Sequence, residues 1–69
     1  MAYQVEYKLK RRLRAAGITL VDLAQVLVEP PGTIGNRLNG YLELAEPQRR
    51  EIEAAILRRE EMIKEEEHG

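Results

Sequence analysis

Apolar residues recur at helical spacing near the start of the chain. They follow one another at intervals of four, four and three residues, which places them on one side of a helix. These residues are Val5, Leu9, Leu13 and Ala16. Gly17 supplies the left-handed conformation in which many helices end, and Ile18 is placed to contact Leu13 across that end. The pattern predicts a first helix over residues 4–16.

A second helix is predicted to begin almost immediately, because Thr19 is a good N-cap residue. Asp22 stands three residues later, where its carboxylate can complete a capping box. Apolar residues then form a single helical stripe. They are Leu20, Leu23, Ala24 and Leu27. We expect this helix to span residues 20–28.

Two adjacent prolines divide the second helix from a third. Pro30 cannot donate a backbone hydrogen bond, whereas Pro31 suits the first turn of a new helix. Ile34 and Leu38 would form the buried side of that helix, predicted over residues 31–39, with Gly40 near its end. Helix, tight turn and helix therefore follow one another in the centre of the chain.

A last, longer helix is predicted over residues 47–64, opened by Pro47. Its inner stripe comprises Ile52, Ala55, Ile56, Arg59 and Ile63. We expect residues 65–69 to fray as an acidic tail. The fold class predicted from this pattern is all-α: one four-helix domain over residues 1–64, with a long C-terminal helix.

The two central segments carry a family resemblance. Residues 20–27, LVDLAQVL, followed by residues 33–40, TIGNRLNG, resemble the lambda-repressor and Cro superfamily, including Xre-type regulators. A helix-turn-helix needs a small residue where its helices cross and apolar anchors on each helix. Ala24 meets the first need and the neighbouring leucines meet the second. The resemblance implies a lambda-repressor-like domain with a central helix-turn-helix from Thr19 to Gly40.

Three positions depart from the family pattern. Val28 stands where the family usually has Gly, and a β-branched residue is poorly suited to positive φ. A turn reshaped by Pro30 and Pro31 would avoid that conformation. Glu29 and Arg37 both stand where the family often has apolar residues. The stem of Arg37 can cover the core while its guanidinium reaches outward.

The resemblance implies that the third helix enters the major groove of double-stranded DNA. The base-edge candidates are Thr33, Asn36, Arg37 and Asn39. Asn36 is the foremost, because an amide can pair bidentately with adenine. Gly32 and Gly35 would let the backbone approach DNA closely. Two alternatives stay open, since Asn39 with Gly40 can simply end a helix and Thr33 can simply start one.

Phosphate contacts are expected mainly from the basic side of the first helix. The candidates are Lys10, Arg11, Arg12, Arg14 and Tyr41. A solvated charged face and a packing role for the Tyr41 ring are the alternative interpretations. The net charge of −1 is the sum of a basic first part and an acidic last part of the chain. Residues 1–44 hold six Lys or Arg against four acidic residues, whereas residues 45–69 hold five against eight.

The composition excludes several classes of protein. With neither Ser nor Cys, the chain lacks the usual hydroxyl and thiol nucleophiles and any thiolate metal site, and its one His, His68, stands beside the terminal Gly69. We expect no enzyme, no cofactor, no metal and no small-molecule substrate. No apolar run resembles a signal peptide or a membrane span, so we expect a cytoplasmic protein without membrane contact.

A core from 69 residues is small, so pairing with a second copy would add stability. The last helix completes the core up to about Ile56, and the homodimer candidates are Ile56, Met62 and Ile63. We expect a sequence-specific DNA-binding transcriptional regulator, a repressor that binds as a symmetric dimer to half-sites about 34 Å apart. The alternative is a protein-interaction module, such as an antitoxin, antirepressor or assembly subunit, that shares the fold without binding DNA.

Overall fold

The computed structural model describes the backbone of residues 2–68 and the side chains of residues 2–66. It consists of four helices, and residues 2–68 contain no strand. The helices are α1 (Tyr7–Ala16), α2 (Leu20–Leu27), α3 (Pro31–Leu38) and α4 (Glu46–His68). The prediction of a small all-α domain with a long last helix is confirmed.

Helix α1 begins three residues later than the prediction of residue 4. The backbone before it is held instead by the end of α3, because Tyr3 N–H donates to the Gly40 carbonyl at 3.0 Å and Glu6 N–H donates to the Leu38 carbonyl at 2.8 Å. Gly40 has a φ of +86°, and a Cβ there would lie 2.6 Å from the Tyr3 carbonyl oxygen. Only glycine fits so close to this segment.

The junction between α1 and α2 follows the sequence signals. Gly17 adopts a left-handed φ of 72°, and Ile18 N–H donates to the Leu13 carbonyl at 2.9 Å. Thr19 Oγ1 accepts from Asp22 N–H at 3.2 Å, while Asp22 Oδ2 accepts from Thr19 N–H at 2.9 Å. The hydrogen bonds from Thr19 hold the pKa of Asp22 below its usual value. The predicted capping box is confirmed.

In the turn between α2 and α3, Val28 adopts a left-handed conformation, which is unfavourable for a β-branched residue. Val28 has φ 55° and ψ 46°, and its side chain is 87% exposed. Val28 N–H and Glu29 N–H both donate to the Ala24 carbonyl, which closes the end of α2. The prolines therefore do not reshape the turn. Pro31 is the first residue of α3, and the carbonyl of Pro30 accepts from the first-turn N–H groups.

The four helices meet in one hydrophobic core. Its buried residues are Leu9, Leu13, Leu23, Ile34, Leu38, Ile52 and Ile56. Ala24 packs against this cluster from α2, at the small position that the sequence predicted. The side chain of Ile56 is completely buried within its own chain, which corrects its assignment as a dimer contact. Met62 and Ile63 are exposed.

Helix α4 starts close to the predicted residue and continues beyond the predicted end. Ala45 N–H donates to Gln48 Oε1 at 3.0 Å, which anchors the first turn. The chain stays helical to His68, so residues 65–68 do not form the expected frayed tail. Glutamate is a good helix former, and no Gly or Pro interrupts this stretch. The His68 side chain and Gly69 lie outside the described residues.

The described helices also bear on the membrane prediction. Over residues 2–68, none of them combines the length and the apolar character needed to cross a bilayer. The longest, α4, has 23 residues and would measure about 35 Å, but most of its length carries charged side chains.

Candidate nucleic-acid interface

Helix α3 presents a nearly bare face to solvent. Its buried side consists of Ile34 and Leu38, while Gly32 and Asn36 are exposed and Thr33 is half-buried. A Cβ placed on Gly32 would meet no atom within 4 Å. The face therefore has room for another molecule to approach the backbone, and Asn36 is the most exposed polar side chain on it.

The second glycine of α3 has a different role from the first. A Cβ on Gly35 would lie 3.3 Å from Leu20 Cδ1, at the contact between α2 and α3. Gly35 thus lets the two helices pack closely, rather than letting a ligand approach as the sequence suggested. Gly32 alone remains open in the predicted way.

A cleft of about 440 Å³ lies between α1, α2 and α3. Leucine side chains form part of its lining, and its polar residues are Lys10, Arg14, Thr19 and Asn39. We call these four polar residues and the space between them the basic cleft. None of the residues lining it is acidic. It brings together side chains predicted for phosphate contact, Lys10 and Arg14, and one predicted for base contact, Asn39.

Lys10 and Asn39 join the two sides of the basic cleft. Lys10 Nζ donates to Asn39 Oδ1 at 2.6 Å, although the two residues are 29 apart in the chain. Asn39 follows the last residue of α3, and its N–H donates to the Gly35 carbonyl, so it also ends the helix. The neutral amide of Asn39 leaves the positive charge of Lys10 uncompensated.

Two other candidates lie near helix ends. Thr33 is in the first turn of α3, where its N–H donates to the Pro30 carbonyl at 3.1 Å. Tyr41 follows α3, and its N–H donates to the Asn36 carbonyl at 2.9 Å. The Tyr41 ring is 62% exposed, so it lies on the surface rather than packing in the core.

The opposite flank of α3 holds a closed ion-pair network. Arg37 Nε donates to Glu29 Oε1 at 2.9 Å, and Arg37 Nη2 donates to Glu29 Oε2 at 2.7 Å. Arg37 Nη1 donates to the Glu43 carbonyl, and Gln48 Nε2 donates to Glu29 Oε1 at 3.2 Å. The Arg37 hydrogen bonds lower the pKa of Glu29, and the carboxylate in turn raises the pKa of Arg37.

This geometry corrects the assignment of Arg37 as a base-edge residue. Its guanidinium is committed to groups of the same chain and turns toward Glu29 instead of outward. Glu29 and Arg37 thus satisfy each other across the turn in a bidentate ion pair. Their opposite charges, eight residues apart across the turn, are the sequence signal that could have revealed the pair.

The basic residues of α1 do not act as one surface. Lys10 and Arg14 lie on the cleft side, whereas Arg12 faces α4, with its Nη2 3.7 Å from Glu60 Oε1. Arg11 is exposed. Of the predicted phosphate contacts on α1, only Lys10 and Arg14 adjoin α3 in the basic cleft, and Arg12 is corrected to a contact with α4.

A second bidentate pair ties the start of α1 to α4. Arg49 Nη1 and Nη2 donate to the two carboxylate oxygens of Glu6 at 2.7 and 2.8 Å. The hydrogen bond from Arg49 lowers the pKa of Glu6, against the effect of partial burial. The residues are 43 apart in sequence, and no local pattern signals their contact.

Searches against protein-family models, curated proteins and solved structures found no match to this chain. Helix α3 exposes the amide of Asn36, and no acidic residue lines the basic cleft beside it. On the other flank of α3, the charge of Arg37 is neutralised by Glu29. The surface therefore combines positive charge with hydrogen-bonding groups.

Proposed function

We propose that the protein is a sequence-specific DNA-binding transcriptional regulator of the helix-turn-helix class, acting as a repressor and binding as a homodimer. The observation that carries the proposal is the position of the basic cleft beside the open face of α3. Contacts with DNA phosphates require exposed cations, and contacts with base edges require a helix that can enter the major groove. The two requirements are met by adjoining residues.

In this proposal α3 enters the major groove with its N-terminal half first. Pro31 and Gly32 add little bulk there, so the backbone can come close to the base edges. Asn36 then donates to N7 and accepts from N6 of an adenine, the pairing that suits an amide. Thr33 is the second polar side chain in reach.

Lys10 and Arg14 would contact the phosphates that flank the groove. Each such contact releases counterions, so binding weakens as the salt concentration rises. The hydrogen bond from Lys10 to Asn39 ties the phosphate-binding side chain to the end of α3. The Glu29–Arg37 pair supports α3 from the other flank without contacting DNA, which makes Arg37 a positioning residue.

The test is selection from random double-stranded DNA at about physiological salt, followed by sequencing of the bound pool. We expect an enriched two-fold palindrome. Asn36→Ala should reduce discrimination at one base pair per half-site by about 1–3 kcal/mol. Gln25→Ala, which also removes an exposed amide but from α2, is the matched control and should leave discrimination intact. An unenriched pool would overturn the proposal.

A protein-interaction module is the second candidate. The observation in its favour is how few side chains α3 offers outward, because Gly32 is bare and Arg37 is committed to Glu29. Such a module would retain no DNA even at low salt and would bind one protein partner in a one-to-one complex. Nitrocellulose retention of labelled DNA at low salt separates the two candidates.

A further inference from the structure

Helix α4 carries an ordered stripe of side chains beyond the core. The stripe begins with one small residue, and a pair of arginines, a methionine and a pair of glutamates follow, each separated from the one before by three or four residues, which places them on one side of the helix. They are Ala55, Arg58, Arg59, Met62, Glu65 and Glu66. We call this set the α4 stripe. Its central residue, Met62, is 56% exposed, so a large apolar side chain stands in solvent between two pairs of charges.

The charges of the α4 stripe are arranged symmetrically about Met62. Arg58 and Glu66 each lie four residues from it, and Arg59 and Glu65 each lie three residues from it. Two arginines thus precede Met62 and two glutamates follow. A two-fold axis through Met62 exchanges the ends of the helix, so it sets every arginine opposite a glutamate. A parallel copy would instead set like charges together.

We infer that a second copy of this chain docks antiparallel on the α4 stripe, with Met62 against the partner's Met62. An isologous contact requires a surface that is complementary to itself, and the order of charges on α4 meets that requirement. The inference deepens the proposed function, on which it rests for the expectation of a symmetric dimer. Its central prediction can be measured without DNA.

The residues around the α4 stripe also favour a second copy of this chain as its partner. Ala55, Arg58, Arg59 and Met62 line a cleft of about 240 Å³ between α2 and α4, together with Ile18, Leu23 and Val26. This gives the partner helix an apolar floor beside the two arginines. Asp22 also borders the cleft, where its carboxylate accepts a hydrogen bond from Thr19 N–H and attracts the charge of Arg59. Ile63 follows Ile56 by seven residues and borders the stripe from the core side.

Charge-reversal variants test the inference by sedimentation equilibrium of the full chain. Arg58→Glu with Arg59→Glu makes both ends of the stripe acidic, and Glu65→Arg with Glu66→Arg makes both ends basic. Each variant alone repels itself, so we expect self-association to weaken about tenfold to a hundredfold. An equimolar mixture should form heterodimers, and the variant with all four substitutions should recover the homodimer.

The matched control is Glu61→Arg, which reverses an exposed charge one residue before Met62 but off the stripe. It should not change the dissociation constant. Helix content measured by circular dichroism shows that each variant is folded. A wild-type chain that stays monomeric at every concentration, or a mixture that forms no heterodimer, overturns the inference.

A cysteine experiment distinguishes antiparallel from parallel pairing, since the chain has no native Cys. In the antiparallel pair, Arg58→Cys is separated from its counterpart by about 12 Å along the helix and forms no disulfide. Rapid crosslinking of this variant would show parallel pairing and overturn the inference. An intact dimer that does not bind DNA would reject the proposed function and leave the inference standing, whereas a dimer that the charge reversals leave unchanged would reject the inference and leave the proposed function standing.

Discussion

Both flanks of α3 hold cations, but only the cations of one flank are available to a ligand. On the first flank Lys10 donates to the neutral amide of Asn39, and no acidic residue lines the surrounding cleft. On the second flank Arg37 is bound by both oxygens of the Glu29 carboxylate. The difference shows that a basic residue predicted from sequence becomes a phosphate-binding candidate only when its partners leave its charge uncompensated.

The two flanks of α3 should contribute to different properties, one to DNA affinity and the other to stability. The first flank should contribute mainly to DNA affinity, because its cations can exchange a weak internal partner for phosphate. The second flank should contribute mainly to stability, because breaking a half-buried bidentate pair leaves a charge without its partner. Four sets of variants test this division.

Removal of both cleft cations should have the largest effect. Lys10→Gln with Arg14→Gln should lower DNA affinity on the order of thirtyfold at physiological salt and reduce the slope of log K against log salt by about two. Fluorescence anisotropy at several salt concentrations measures both. Arg12→Gln is the control, because its guanidinium faces α4. An equal loss in the control would show that the flanks of α3 do not divide the charge.

Arg37→Met should lower the melting temperature instead, on the order of 5 °C, because Glu29 loses its bidentate donor. The salt slope of DNA binding should keep its wild-type value. Glu29→Leu with Arg37→Leu should recover most of the loss, since both charges are removed together. Thermal denaturation followed by circular dichroism checks both variants. A reduced salt slope in Arg37→Met would place that guanidinium on DNA and contradict the comparison.

Val28, the residue before Glu29, adopts a strained left-handed conformation on the second flank. A left-handed conformation costs a residue with a Cβ about 1–2 kcal/mol, and glycine avoids that cost while losing about 0.5–1 kcal/mol of chain entropy. Val28→Gly should therefore stabilise the fold by about 0.5–1 kcal/mol in urea denaturation. Val28→Ala retains the Cβ and should change little. Equal stability of the glycine and alanine variants would mean that the turn carries no such cost.

The smallest effect should appear in the pH dependence of stability. The pKa values of Glu6 and Glu29 are lowered from about 4.5 by their arginine partners. Their ionised forms therefore stabilise the fold above that pH, and this stabilisation is lost as the pH falls through the lower folded-state pKa. Glu29→Gln should reduce the slope of unfolding free energy against pH near pH 4, whereas Lys10→Gln should leave it unchanged.

The elements that the sequence predicted well are those with local causes. Gly17, Thr19 and Asp22 act on backbone groups within a few residues, and their geometry agrees with the prediction. The inner stripe of α4 correctly placed Ile52 and Ile56 in the core, and the same periodicity should have excluded Ile56 as a dimer contact. A local pattern therefore predicts both the element and the side that it buries.

The errors have causes that lie far apart in the chain. Residues 4–6 continue the helical pattern of α1 but are held by carbonyl groups at the end of α3. The position of Arg37 on α3 predicts a contact with bases, although its role depends on Glu29 across the turn. The assignment of the third helix to DNA remains a prediction, because it depends on a partner that the chain alone does not contain.

The attachment of the N-terminal segment also constrains the order in which the molecule can assemble. Tyr3 and Glu6 are synthesised before the groups that bind them, which belong to Leu38, Gly40 and Arg49. Contacts between α2 and α3 close short loops and can form early, whereas the N-terminal segment closes a much longer one. On the ribosome this segment must wait for the end of α3, and the Glu6 carboxylate must also wait for Arg49, so the segment is placed after helices that are made later than it is.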